Sequence, residues 1–359
     1  MTPTRAPCTH GCLAARGSGI SRLDIDLADE DALRLAEVFG LSLEQVKALD
    51  LRGAWPGLPA EWLPCTDTTG RSRGPLDLSW CRVCLEQGHR AGGAYLDREA
   101  ALPLTLCHRH HALRFDTGRH CRPMNPPTYA YVNGKVELLC AVCRKLLRTP
   151  AARAWRDEWD NGDRHVVRLF EILLTFETRL RAAWQGHAVR LQNVGVVTAD
   201  EFLALVTDLT RALLAPNLSS TSLINRYGCA LLHNCPDHKP RDWHEMPYQE
   251  LSPSYRLRVL CAIIATISNE ETSQLFADHA WAGYSTRPKD LRSIEWLFEN
   301  APKWVKAMLI RGSARWPVRL REQIRVLHDR SGIDVDAVLA RFESWRCEHD
   351  EVAGWSISL

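Results

Sequence analysis

Residues 80–113 read WCRVCLEQGHRAGGAYLDREAALPLTLCHRHHAL, and the two ligand pairs inside this stretch, Cys81-x-x-Cys84 and Cys107-x-x-His110, organise what surrounds them. A pair spaced by two residues can grip one ion from a tight turn, and 22 residues, 85–106, separate the two pairs. Two pairs brought together supply the four sulfur and nitrogen donors of a tetrahedral shell, so one zinc site is expected. Such a site is closed: it fixes a shape and leaves no coordination position for an activated water.

A third pair, Cys140-x-x-Cys143, lies downstream, and Cys121 is placed to join it, giving three thiolates toward a second zinc. His120, His108 and His111 are within sequence reach as its fourth ligand, and Met124 stands where another knuckle cysteine would be. Two looser groups are Cys8, His10 and Cys12 near the start, and Cys229, His233, Cys235 and His238. A short terminal run is more often disordered than chelating, and residues 229–233 read as helix with Cys229 acting as a small apolar side chain.

Bulk composition agrees with metal rather than disulfide. With 13 cysteines in 359 residues and no apolar segment following the first charges of residues 1–13, the chain reads as cytoplasmic, where thiols stay reduced. The longest apolar run, 259–267, is too short to span a bilayer, so no membrane partner is expected. Forty-five basic against 43 acidic residues leave a net charge of only +2, so contact with nucleic acid requires charge gathered locally.

Outside the cysteine-rich stretch the pattern is helical. Asp31, Leu33, Leu35, Ala36, Val38 and Phe39 suit a short amphipathic helix closed by Gly40, and Ser42 with Gln45 makes a capping box for a second one carrying Leu43, Val46 and Leu49. Residues 51–75, rich in Gly, Pro, Trp and Thr, read as a connection with little regular structure. Further on, Val166, Val167, Leu169, Phe170, Leu173, Leu174, Phe176 and Leu180 mark a long helix. Thr198 and Glu201 cap another that carries Phe202, Leu205, Val206, Leu209 and Leu213 and stops at Pro216. Pro302 and Pro317 suit the first turns of new helices, with Trp296, Trp304, Trp316, Trp345 and Trp355 as core material. The expected fold is mainly α: a helical N-terminal part with linker (1–75), a zinc-knuckle module with short strands (76–150) and a larger all-α region (151–359).

Charge gathers in the last of these. Between residues 303 and 330 eight basic side chains, Lys303, Lys306, Arg311, Arg315, Arg319, Arg321, Arg325 and Arg330, face two acidic ones, Glu322 and Asp329, a local net charge of +6 (eight minus two). Arg311, Arg315, Arg319, Arg321 and Arg325 are therefore the candidate phosphate contacts, against the plainer reading of a solvated helix face. Arg71, Arg73, Arg82, Arg90, Arg109, Arg114 and Arg119 form a second basic group about the zinc module.

The helix pair around Phe39-Gly40-Leu41-Ser42, then Trp80-Cys81-Arg82-Val83-Cys84-Leu85, then Leu106-Cys107-His108-Arg109-His110-His111-Ala112-Leu113, resembles the TniQ family of transposon target-selection proteins. The likeness covers roughly the first 150 residues and, more faintly, Ala314-Arg315-Trp316-Pro317. His111 stands where that family usually has glycine. The resemblance implies a non-enzymatic adaptor linking a DNA target, or a target-bound CRISPR effector complex, to an AAA+ ATPase that recruits transposase. It also implies Cys81, Cys84, Cys107 and His110 as one zinc site and Cys121, Cys140 and Cys143 as part of another. A homodimer would suit such an adaptor.

Two alternatives compete. An HNH-like nuclease would use the 106–111 stretch, but needs a general-base histidine beside an aspartate, and only His89 precedes Tyr95 and Asp97. A zinc-dependent transcriptional regulator would use residues 42–49 as a recognition helix.

Overall fold

The structure, a computed structural model, describes residues 29–48, 51–59, 62, 79–90, 99, 102–114, 128–132, 134–140, 143–146, 164–215, 248, 251, 253–268, 272, 275 and 293–353. Helices dominate these residues, and the strands are few, short and antiparallel, as a mainly α fold requires. In chain order the elements are α1 (Asp29–Phe39), α2 (Leu43–Lys47), α3 (Leu51–Ala54), α4 (Arg82–Arg90), β1 (Leu106–Cys107), β2 (Ala112–Leu113), β3 (Thr128–Val132) and β4 (Lys135–Leu139). They continue as α5 (Arg164–Trp184), β5 (Val189–Leu191), β6 (Gly195–Val197), α6 (Ala199–Leu214), α7 (Pro253–Ile267), α8 (Ile294–Asn300), α9 (Lys303–Ser313), α10 (Val318–Ser331) and α11 (Val335–Ala353). Two units result: Met1–Trp155 with Trp184–Gly186 and Gln249–Pro253, and Arg156–Ala183 with His187–Tyr248 and Ser254–Leu359.

In the first unit α1 and α2 form the expected helix pair. Gly40 has φ 64°, the left-handed conformation that lets the chain turn sharply after Phe39. The Ser42 hydroxyl accepts from the Gln45 N–H at 3.1 Å while Gln45 Oε1 accepts from the Ser42 N–H at 2.8 Å, so the capping box is complete. Ala32, Ala36 and Val46 form the small buried seam between the two helices. The following segment is more than a connection. Leu51, Leu58 and Trp62 are buried, and Trp55 and Trp62 each meet the fully buried Trp184 edge-on at 6.1 Å. Turn residues had masked this, because tryptophans pack without any periodic backbone to announce them.

In the second unit the helical spacing does what it promised. Leu169, Leu173, Phe176 and Leu180 are buried along one stripe of α5, and Phe176 meets Phe202 of α6 at 5.6 Å. Thr198 and Glu201 cap α6 reciprocally, and Ala215, directly before Pro216, has already left the helical region at ψ 131°. The apolar run 259–267 is a buried helix, α7, and no helix among the described residues is long and apolar enough to cross a membrane. Pro302 and Pro317 stand one position earlier than expected, as the N-caps of α9 and α10, where extended backbone at ψ 154° and 139° suits them as well. Of the five tryptophans read as core, Trp316 is buried, Trp304 stacks on Phe342 at 4.2 Å, and Trp345 lies at the surface. Trp296 is half-buried, and Trp355 lies outside the described residues.

Candidate metal centre and basic surface

The strongest site prediction concerns four side chains from two turns, and the fold brings all four together. Cys81 directly precedes α4, whose ladder opens with the Leu85 N–H bonding the Cys81 carbonyl at 3.0 Å, so Cys84 sits in the helix's first turn. Cys107 ends β1, and its strand partner Ala112 starts β2, so residues 108–111 form the hairpin turn that swings His110 back over the cysteines. That turn needs a left-handed residue, and His111 supplies it at φ 49°. Histidine tolerates this region better than most side chains, which is how the chain dispenses with a glycine here.

The ligand atoms of Cys81, Cys84, Cys107 and His110 all lie within 4.8 Å of one another. His110 Nδ1 is 3.6 Å from Cys81 Sγ, 3.2 Å from Cys84 Sγ and 3.7 Å from Cys107 Sγ, and Cys84 Sγ is 3.8 Å from Cys107 Sγ. A tetrahedral ion with metal–sulfur bonds of ~2.3 Å and a metal–nitrogen bond of ~2.0 Å sets its ligands ~3.8 Å apart for two sulfurs and ~3.5 Å for sulfur and nitrogen. The donor set fits. A Cys84–Cys107 disulfide does not, since it demands sulfurs ~2.0 Å apart.

Neighbouring groups prepare the donors. His110 Nε2 lies 3.0 Å from Gln87 Oε1, and because an amide oxygen only accepts, this contact places the proton on Nε2 and leaves Nδ1 as the free lone pair. Backbone N–H groups of Cys84 and His110 donate to the sulfurs of Cys81 and Cys107. Hydrogen bonds from the Cys81 and Cys84 thiols, then the His110 N–H and the nearby Arg114 charge, hold the Cys107 thiol well below its ordinary range. Its bond to Cys107 pushes Cys81 up to about 11, and the same partner raises Cys84 further. A cation bound among these sulfurs therefore displaces the protons that the raised Cys81 and Cys84 thiols retain.

Arg114, one of the basic group about the zinc module, is an interior residue. It is 1 % exposed, donating to Leu106 O at 3.2 Å, Ser79 O at 3.2 Å and Glu99 Oε2 at 2.8 Å. Those carbonyls lie beside Cys107 and shortly before Cys81, so one guanidinium ties the strand of one ligand pair to the approach of the other. Neither Gln87 nor Arg114 was singled out as part of the metal site. Gln87 was discoverable, standing three residues past Cys84 on the same helix face; Arg114 carried no sequence signal.

Backbone bonds close around the third pair in the same way. Arg144 N–H bonds Cys140 O at 2.8 Å, Cys140 N–H bonds Lys145 O at 2.9 Å, and Arg144 is left-handed at φ 57°, matching the place of His111 in the other hairpin. Cys140 is buried and Cys143 exposed. Cys121, His120 and Met124 lie outside the described residues, as do the groups at 8–12 and 229–238; His108 and His111 are not among the four clustered ligands.

The five arginines read as phosphate contacts all lie on α9, α10 or their connection, each with a partner inside the protein. Arg311 bonds Asp336 Oδ1 at 3.1 Å, Arg321 bonds Ala314 O at 3.3 Å, Arg325 bonds Glu322 Oε2 at 2.8 Å, and Arg319 donates to Asn193 O. Arg315 differs in kind. It reaches both oxygens of Asp208 at 3.3 Å, and Asp208, only 2 % exposed on α6, also accepts from Trp316 Nε1 at 2.9 Å. The connection between α9 and α10 is thus pinned to a buried carboxylate.

No protein-family model, curated protein or solved structure matches this chain.

Proposed function

We propose that the chain is a non-enzymatic, zinc-stabilised adaptor for DNA targeting, linking a DNA site or a target-bound CRISPR complex to the AAA+ ATPase of a transposition machinery. The observation that carries the reading is the cluster of Cys81, Cys84, Cys107 and His110. Three sulfurs and one imidazole nitrogen favour zinc over harder cations, and they complete a four-ligand shell with no donor missing. A shell of that kind supports shape, not hydrolysis, which favours an adaptor over an HNH-like nuclease. The resemblance of the knuckles and flanking helices to the TniQ family supplies the transposition context, and the basic residues of α9 and α10 supply a surface for DNA. The turn at Cys140 and Cys143, with Cys121, holds a second zinc in the same reading.

Two measurements test it. Elemental analysis of the purified chain gives at least one zinc per molecule, and a metal-free folded protein removes the premise. The AAA+ ATPase encoded beside the gene, immobilised with ATP, retains the chain; a neighbourhood with no such ATPase, or one that fails to retain it, refutes the adaptor role.

A further inference from the structure

Two helices joined by a short fixed turn, with the second presenting a polar, partly basic face, are the working part of a helix-turn-helix. The pair α9 and α10 has this form. Four residues, Ala314, Arg315, Trp316 and Pro317, connect them, and α8 packs against α10 as a third helix. The turn is held from below: Trp316 and Arg315 bond Asp208, and α6 approaches so closely that a Cβ on Gly312 would meet Asp208 Oδ2 at 2.4 Å.

On α10 the side chains Leu320, Ile324 and Leu327 face the core. At 100° per residue the opposite line is Val318, Glu322, Arg325 and Asp329, all exposed, with Arg319 and Val326 on one flank and Arg321 on the other. Val318 is 59 % exposed, an apolar side chain at the start of an otherwise polar face. Beside it stands the β5–β6 hairpin, tied to α10 where Arg319 donates to Asn193 O, and its exposed cross-strand pair is Arg190 and Val196. The arginines on α10 rest on exposed acceptors, contacts worth little in water, so moving them to phosphate costs little.

We propose that α10 lies in the major groove of duplex DNA and that the β5–β6 hairpin lies along the adjoining backbone. The inference rests on the DNA-targeting reading and sharpens it. Glu322 and Arg325 reach base edges, since a carboxylate accepts from cytosine N4 and a guanidinium matches guanine O6 and N7; Val318 and Val326 suit thymine methyls. Arg319, Arg321 and Arg190 contact phosphates. Arg315 leaves the list of contacts, because its work is to fix the turn.

The test is anisotropy of the full-length chain with a fluorescent mixed-sequence duplex across a salt series, followed by selection from a randomised duplex pool. Removing two phosphate contacts in Arg319→Ala/Arg321→Ala lowers the slope of log affinity against log salt by about 1.8 and the affinity at 0.1 M salt by about 60-fold. Arg319→Lys/Arg321→Lys keeps the slope and controls for folding. Arg325→Ala relaxes the selected preference at one position. Wild-type binding with an unchanged slope in the double alanine variant overturns the inference. A wild-type chain that binds no duplex also overturns it, while the adaptor reading is then judged by ATPase capture alone.

Discussion

The pin beneath the α9–α10 turn makes one substitution decisive: Gly312→Ala. On an exposed helix this change stabilises by about 1 kcal/mol through helix propensity alone. Here the added Cβ would meet Asp208 Oδ2 at 2.4 Å, Cγ at 2.8 Å and Oδ1 at 3.3 Å, so the carboxylate has to retreat by about 1 Å to reach ordinary contact. Retreat is resisted, because Trp316 Nε1 at 2.9 Å and Arg315 at 3.3 Å hold both oxygens. Overpacking of this kind costs about 1–3 kcal/mol and loss of a hydrogen bond to a buried charge about 1.5–3 kcal/mol. Set against the propensity gain, the net expectation is a loss of about 1.5–5 kcal/mol, roughly 3–20 °C in melting temperature for a unit of this size. Urea unfolding measures the loss, and hydrogen exchange in α9 and α10 places it. In an Asp208→Ala background the same Gly312→Ala change becomes neutral or mildly stabilising, since the atoms it struck are gone. A Gly312→Ala chain as stable as wild type refutes the argument that Asp208 is held against α9.

Metal affinity is expected to rise with pH: the Cys81 and Cys84 thiols are held above their ordinary range, so binding releases thiol protons, and acidification expels the ion. Calorimetry in buffers of different ionisation enthalpy counts those protons; a count of zero contradicts the raised thiols. Gln87→Ala frees the His110 ring to change tautomer and weakens zinc about 10- to 100-fold at unchanged stoichiometry, read by chelator competition. Arg114→Met removes the bonds to Glu99 and to the carbonyls of Ser79 and Leu106, costing about 3–5 kcal/mol, and an unaltered urea midpoint would show that the ligand pairs hold together without it.

What the sequence made legible follows from how local each signal is. Capping boxes at Ser42 and Thr198, the left-handed Gly40 and the apolar stripe of α5 are set by neighbours within a few residues, and each stands where its pattern put it. Cys81, Cys84, Cys107 and His110 were legible for a different reason: a knuckle is a local turn, and only the meeting of two knuckles is long-range. The illegible parts are contacts between distant positions with no periodicity to betray them. Trp55 and Trp62 against Trp184 look like loop residues in sequence, and Arg114 looks like one more surface charge.

Arg315 shows the same limit acting on function. Within a run of eight basic and two acidic residues it is one more positive charge, and composition alone assigns it to phosphate. Its partner, Asp208, lies 107 residues away. Although the guanidinium is 63 % exposed, the carboxylate it holds is 2 % exposed, so losing the arginine leaves a buried charge with fewer donors. Neutralising Arg315 in a binding assay would therefore lower affinity by loosening the turn even if the residue never touched DNA. Only the salt slope separates the two roles: it falls when a phosphate contact is lost and holds when a support is lost. Arg315→Ala should weaken binding with its slope intact, whereas Arg321→Ala should lower the slope by about 0.9.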